Sequence, residues 1–246
     1  MFKHASRLLA LSLALSCSSL ALAADRVNFQ LDWLPGGDKA PVYAGVQQGF
    51  FAEQGLEIRI ASSRGSTDAL TRIASGQADM GSADIGALMA ARAQDEVPVS
   101  AVFMIFNQAP HAFFTLTDSS VQSITDVAGK RVATSPFTSS NAFMPLVLKA
   151  NGMAADAVSL TRTDPGALGP MLVTGNTDAI IAWVTNTALF RAQAAAANKD
   201  IRVLPWSEAG LELYSSAIVA SDRFLSQRPD VARRFMLAYA KALKFT

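Results

Sequence analysis

The sequence predicts an α/β protein folded as two lobes with a cleft between them, and three observations carry that prediction. Short stretches with an apolar period of two alternate along the chain with stretches of helical spacing. The alternation restarts after Asn107-Gln108-Ala109-Pro110. From Tyr214 onward a further strand and a long helix read as a return to the first lobe. Alternating strands and helices imply mostly parallel sheets with helices on both faces. Two such lobes joined by at least two crossing strands place a ligand between them, at the carboxyl ends of the strands. The predicted division is residues 1–23 as an export signal, 24–111 as the first part of lobe 1, 112–212 as lobe 2 and 213–246 as the return to lobe 1.

The chain opens with Lys3, His4 and Arg7, followed by an apolar run from Leu8 to Leu22 that ends in Ala21-Leu22-Ala23. A basic start, an apolar stretch and a small-x-small site before Ala24 are the layout of a secretory signal peptide. The competing reading is a membrane anchor, but Ser12, Ser16, Cys17, Ser18 and Ser19 interrupt the run, which falls short of the ~20 apolar residues a span needs. Cys17 offers a second alternative, lipid attachment at Ala14-Leu15-Ser16-Cys17. An alanine stands there where a lipobox has leucine, and a well-formed cleavage site follows. The expected location is therefore periplasmic, through a cleaved signal.

Cleavage removes the one cysteine and one of two histidines, leaving His111 as the single imidazole. Disulfide and thiol chemistry are thereby excluded from the mature chain. Of 21 basic residues against 20 acidic, Lys3 and Arg7 leave with the signal, so the mature net charge is −1. Such a near-neutral surface gives no support to nucleic-acid binding.

The elements then follow in order. Val27, Phe29 and Leu31 alternate with polar residues as a strand, and Pro41 to Gln54 reads as a helix stopped by Gly55. Leu56, Ile58 and Ile60 form the second strand, and Ser66-Thr67-Asp68 opens a helix carrying Leu70 and Ile73. "ADMGSAD", the helix "IGALMAARAQ" and the apolar stretch Val97 to Phe106 close the first series. The second series runs through a strand at Ala112 to Thr117, a short helix near Ile124 to Val127, a strand at Arg131 to Thr134 and a helix from Ser139 to Ala150. It continues with "VSLTRT", a helix from Pro165 to Thr174, "DAIIAW", a helix from Thr187 to Ala197 and "IRVLPW". "SSAIVAS" and the helix from Pro229 complete the chain. No internal sequence repeat is visible.

Leu31-Asp32-Trp33-x-Pro35, then Tyr43 and Gly45, then Gly49-Phe50-Phe51 and Gly55-Leu56 resemble the opening of the sulfonate, nitrate and thiamine-precursor binding proteins, the SsuA/THI5-like family. Ile73 to Asp84 ("IASGQADMGSAD") and Asp126 to Ser135 ("DVAGKRVATS") resemble two further signatures of that family, in the expected order. The resemblance implies a two-lobed type II periplasmic-binding fold and delivery of cargo to an ABC permease in the inner membrane. Members that handle the pyrimidine precursor of thiamine often carry a His-Ala-Gly or His-Thr-Gly triplet where this chain has Lys39-Ala40-Pro41, a departure that counts against a pyrimidine cargo. The cysteine-rich segment of the fungal relatives that make the precursor is absent. Relatives also continue beyond the helix equivalent to Pro229–Phe245, so the expectation is a first lobe apparently truncated at the C-terminus.

Several residues fall at strand ends or helix starts facing the predicted cleft. Asp32 and Trp33 follow the first strand, where an indole can stack on a flat ligand; the competing reading is a tryptophan that packs the lobes. Gly65 lets backbone approach closely at a helix start, where amides can receive a polar group. Arg64 could fork onto a carboxylate or sulfonate, or be an ordinary exposed loop arginine. Ser66 reads as an N-cap and a possible contact. Ser82 and Asp84 end the third strand, Asp84 either accepting from a ligand or capping the next helix. Ser139 and Asn141 belong to a polar helix start in lobe 2, with Thr138 and Ser140, and Trp183 supplies a second aromatic wall.

Such a cleft suits a small planar or zwitterionic solute, with sulfonates and pyrimidines among the candidates. No phosphate loop is present, no serine elbow accompanies His111, and no Cys/His clustering marks a metal site. No cofactor and no catalytic residue is implied, and the protein reads as a monomeric binding protein rather than an enzyme. Two rivals remain, a periplasmic sensor feeding a membrane kinase and an exported pyrimidine-processing enzyme. Intact-mass measurement on a periplasmic extract should show a chain beginning at Ala24, and a lipid-modified Cys17 at the new terminus would refute cleavage there.

Overall fold

The computed structural model describes residues 23–246, so the predicted signal up to Leu22 lies outside the described residues. Strands β1 (Asp25–Gln30), β2 (Leu56–Ala61), β3 (Met80–Asp84), β4 (Val99–Met104) and β10 (Ser216–Ser221) form one sheet in the order β2-β1-β3-β10-β4. Strands β5 (His111–Leu116), β6 (Arg131–Thr134), β7 (Ser159–Arg162), β8 (Ala179–Trp183) and β9 (Ile201–Pro205) form a second, in the order β7-β6-β8-β5-β9. Helices α1 (Ala40–Gln47), α2 (Ser66–Ala74) and α3 (Ile85–Asp95) belong to the first series. Helices α4 (Ser140–Ala150), α5 (Leu168–Val173) and α6 (Thr187–Ala195) belong to the second, and α7 (Asp222–Gln227) and α8 (Pro229–Phe245) to the return.

The two sheets repeat one pattern. β1 pairs in parallel with β2 and β3, as β6 does with β7 and β8. β10 lies antiparallel between β3 and β4, and β5 antiparallel between β8 and β9. Each sheet is thus mostly parallel, as predicted, with one reversed strand supplied by a segment that has just crossed from the other lobe. The repeat of topology leaves no repeat of sequence, because a strand buried on both faces demands only apolar side chains. β3, β5, β8 and β10 are buried at every position.

The two crossings run side by side. The amides of Ile105 and Phe106 donate to the Ser216 carbonyl at 2.8 and 3.1 Å, and the Ser215 amide donates to the Phe106 carbonyl at 3.1 Å. A hinge therefore consists of two short hydrogen-bonded connections, the arrangement that permits lobe closure.

The alternation read in β1 sends Val27 and Phe29 to one face, where Phe29 stacks on Phe235 of α8 at 5.3 Å. The other face of the sheet carries Leu70 and Ile73 of α2 and Leu88 of α3, over Ala217 and Val219. One correction concerns the helix predicted from Pro41 to Gln54. It stops at Gln47, the left-handed Gly49 (φ +76°) turns the chain, and a short 3-10 turn follows at Ala52–Gln54. The break drops Phe51 into the core 5.0 Å from the Phe235 ring, a contact a continuous helix would forgo.

Phe235 thus joins α8 to β1 and to the loop before β2. Phe235→Ala should cost about 3–5 kcal/mol in urea unfolding, whereas Leu237→Ala, at a side chain 50% exposed on the same helix, should stay within about 0.5 kcal/mol.

Candidate ligand-binding cleft

Where the carboxyl ends of the two sheets face each other, the lobes close on a narrow cavity of about 10 Å³. Lobe 1 contributes Asp32, Trp33, Asp38, Gly65 and Ser66 to its wall, and lobe 2 contributes Thr138, Ala182, Trp183, Thr185 and Asn186.

The floor is polar and tightly tied. Asp32, 2% exposed, follows β1 and accepts from Ser82 Oγ at 2.8 Å and Ser66 Oγ at 3.5 Å. The Lys39 ammonium, on the 3-10 turn Gly37–Lys39, donates to Asp32 and pairs with Asp38 at 2.7 Å. Burial alone would discharge a lysine with a side chain only 4% exposed. The Asp32 and Asp38 carboxylates outweigh that penalty and hold its pKa above the ordinary lysine value. The floor therefore carries two carboxylates and one ammonium.

The walls are aromatic. Trp183 ends β8 with Lys39 Nζ 5.5 Å from its ring centroid. Trp33 leaves lobe 1, lines the cavity and packs against the lobe 2 cluster that includes Ala182 and Phe190. This indole both borders the cavity and packs the lobes together. Thr185 Oγ1 is buried without a hydrogen-bond partner, a group whose desolvation a ligand would relieve.

Closure rests on backbone contact. Gly65 has φ +155°, and a Cβ there would lie 2.0 Å from the Phe137 carbonyl oxygen of lobe 2, so only glycine fits. Beside it the Thr67 amide donates to that carbonyl at 3.2 Å, and Ser135 Oγ donates to the Arg64 carbonyl at 2.7 Å. The helix-start amide expected to receive a ligand receives the opposite lobe instead.

A second contact joins Asp84 of lobe 1 to His111 of lobe 2, Oδ2 to Nε2 at 3.6 Å, both side chains buried. Asp84 caps α3 by accepting from the Gly86 and Ala87 amides at 2.8 and 3.2 Å, and accepts from Ser215 Oγ at 2.6 Å. His111 Nδ1 meets Ser140 Oγ at 2.8 Å, and Phe143, Trp183 and Trp206 surround the ring. Burial opposes the charge on Asp84, and the His111 ring facing it, together with hydrogen bonds from Ser215 and the Ala87 amide, outweighs that and holds the carboxyl below its ordinary pKa.

Of the residues singled out from sequence, Asp32, Trp33, Ser66 and Trp183 lie on the cavity wall. Ser82 lies behind it, holding Asp32, and Asp84 takes its capping role. Ser66 does not cap α2, whose N-cap is Gly65; its hydroxyl instead accepts from the Asp84 amide at 3.1 Å. Arg64 points away from the cavity: half-exposed, it pairs with Asp68 at 3.5 Å and lies 4.2 Å over the Phe137 ring. The Asn141 amide is committed to its own loop, donating to the Ser135 carbonyl at 2.8 Å and accepting from Thr134 Oγ1 at 2.9 Å. Ser139 is buried beside the wall with an unpartnered hydroxyl. Asp38, Lys39, Thr185 and Asn186 were missed. Lys39 and Asp38 had a signal, since Lys39 stands where pyrimidine-handling relatives place a histidine. Thr185 and Asn186 had none beyond following Trp183. Among the described residues no group of three or more His, Cys, Asp or Glu could hold a metal, and no helix is long and apolar enough to cross a membrane.

The family model described as NMT1/THI5 like matches residues 37–246. The chain is 27% identical to the formylaminopyrimidine-binding protein of Halalkalibacterium halodurans over 190 residues, covering 75% of this chain and 57% of that protein. It is 23% identical to the 4-amino-5-hydroxymethyl-2-methylpyrimidine phosphate synthase of Aspergillus parasiticus over 235 residues, covering 91% of this chain and 67% of that one. The alkanesulfonate-binding protein SsuA of Xanthomonas axonopodis pv. citri, solved with MOPS bound, superposes with a TM-score of 0.72 at 17% identity, over 89% of this chain and 73% of that chain. The periplasmic-binding fold implied by the sequence motifs is the fold observed.

The lowered pKa of Asp84 sets a sign for acid stability. A carboxyl with a folded pKa below its unfolded value of ~3.9 contributes stability that is complete above that value and lost as pH falls through the folded one. In calorimetry Asp84→Asn should melt below the unsubstituted protein at pH 6, and the gap should narrow as the pH is taken below about 4.

Proposed function

The chain belongs to the NMT1/THI5-like family, and from that premise we propose that it is an extracytoplasmic solute-binding protein, capturing a small planar organic molecule in its cleft and delivering it to the permease of an ABC importer. The observation that carries this reading is the cavity itself, with one half of its wall from each lobe. A site of that kind is complete only when the lobes are together, so a ligand in it favours the closed form by its differential affinity. The closed form is then what a permease would recognise. The site is complete within one chain, which fits a monomer.

The walls of the cavity narrow the cargo. The cavity is narrow, about 10 Å³, far below the range for occupied small-molecule sites, so on this reading the lobes part to admit the cargo and close less tightly around it. Trp33 and Trp183 offer faces for a flat ring, and Asp32, Asp38, Thr138 and Asn186 offer polar contacts at its edge. The relative named for binding formylaminopyrimidine supports an aminopyrimidine-like cargo, whereas the sulfonate-binding neighbour shares the fold alone.

The synthase-named relatives raise catalysis as the other possibility. Ser140, His111 and Asp84 lie in sequence of contact, as in a nucleophilic relay, yet all three are fully buried and none lies on the cavity wall. That burial supports a non-enzymatic role, with the three residues serving to join the lobes.

An aminopyrimidine added at a hundred times its dissociation constant should stabilise the protein by about 2.7 kcal/mol, read as a rise in melting temperature. Trp33→Ala should weaken that binding by about 1–3 kcal/mol, the scale of aromatic stacking on a flat base, while the fold persists. Recovery of chemically altered ligand at catalytic turnover would overturn the binding-protein assignment.

A further inference from the structure

We propose that Lys39 sets the charge of the ligand the cleft accepts: with Asp32 and Asp38 it leaves the floor one negative charge, so the site selects a planar solute carrying one positive charge and rejects sulfonates and other anions. The inference rests on the cleft as the capture site and specifies its charge selection.

The three charged side chains are almost completely withdrawn from solvent, at 1%, 5% and 4% exposure for Asp32, Asp38 and Lys39. Both carboxylates lie on the cavity wall, while Lys39 reaches them from below, from a small void bordered by Ser82, Ser216 and Tyr239. Among the described residues that line the cavity there is no lysine, arginine or histidine. Arg64, the cation suggested by sequence, is held outside the cavity by Asp68, which it shares with Arg72, and by the Phe137 ring. The ligand therefore meets two carboxylates and a single ammonium that is already shared between them.

The free valence agrees with that sum. Asp32 Oδ1 is taken by Lys39 and Ser82, and Asp38 Oδ2 by Lys39. Among the described residues no hydrogen bond reaches Asp38 Oδ1, which leaves an acceptor on a residue of the cavity wall. An amino or amidinium group fits such an acceptor, and a sulfonate oxygen is repelled by it. Trp33 and Trp183 act in the same direction, because the face of an indole attracts a cation. With solvent displaced, one charge near a net negative floor is felt strongly enough to order ligands by sign.

The test uses three rings of similar shape and different charge at pH 7, benzamidinium, benzamide and benzenesulfonate, titrated by calorimetry and tryptophan fluorescence. The unsubstituted protein should bind benzamidinium at least about tenfold more tightly than benzamide and show no saturable benzenesulfonate binding. Asp38→Asn neutralises the floor and should bring the cation and its neutral analogue within about threefold. Lys39→Met vacates the place of the ammonium and should tighten benzamidinium by at least about tenfold; if that variant does not fold, the other two comparisons decide. Benzenesulfonate bound as tightly as benzamidinium, with the same fluorescence change, overturns the charge selection and leaves cleft capture intact. No saturable binding by any of the three, nor by an aminopyrimidine, overturns cleft capture and the charge selection together.

Discussion

The carboxylate of Asp32 is the point on which the cleft depends. It sits at the end of β1, and its partners come from three other places in the chain: Ser66 at the start of α2, Ser82 in β3 and Lys39 on the turn before α1. Without it the three loop ends that form the floor would have no common anchor. Burying an ion costs more than burying an apolar residue of the same size, and a buried pair is seldom retained for stability alone. A charged floor at the meeting of strand ends is better understood as a binding surface whose geometry is fixed before the ligand arrives.

Around that anchor the two lobes repeat one topology, and the strand reversed in each sheet is the one that has just crossed the hinge. This gives closure its character. β5 and β10 are buried on both sides within their lobes, and outside the lobes the chain passes only through the paired connections near Phe106 and Ser215. The closing faces then have to match without side-chain rearrangement. Gly65 against the Phe137 carbonyl and Gly86 against the Phe143 ring, where a Cβ would lie within 2.2 Å of the ring edge, are two places where absence of a side chain permits that match.

Most of the fold was legible because its signals are local. Period-two alternation gave β1 and β2, glycine after a helical stretch gave the turns at Gly55 and Gly152, and Pro229 marked the start of α8. The break at Gly49 was not read, because the apolar spacing continues through Phe50 and Phe51 and only the packing of Phe51 on Phe235 decides against one helix. The site was legible by position and less so by role. Strand ends pointed to Asp32, Trp33, Ser66 and Trp183, but whether a polar side chain meets ligand or its own backbone depends on partners far away in sequence. Asn141 finds its partners in its own loop, Asp84 finds Ser215 across 131 residues, and nothing near Arg64 in sequence announces the Phe137 ring that draws it outward.

The same dependence separates binding from catalysis in this fold. Ser140, His111 and Asp84 have the residue types and the contact order of a hydrolytic relay, but the order alone does not make a nucleophile. Ser140 meets Nδ1 of the imidazole while Nε2 faces a carboxylate that belongs to the other lobe. The relay therefore exists only when the cleft is closed, and it is then sealed behind Phe143, Trp183 and Trp206, out of reach of a substrate in the cavity. A nucleophile has to be oriented and accessible in the same state; here the oriented serine is fully buried. The arrangement brings a carboxylate to an imidazole across the seam, with all three side chains behind the cavity wall.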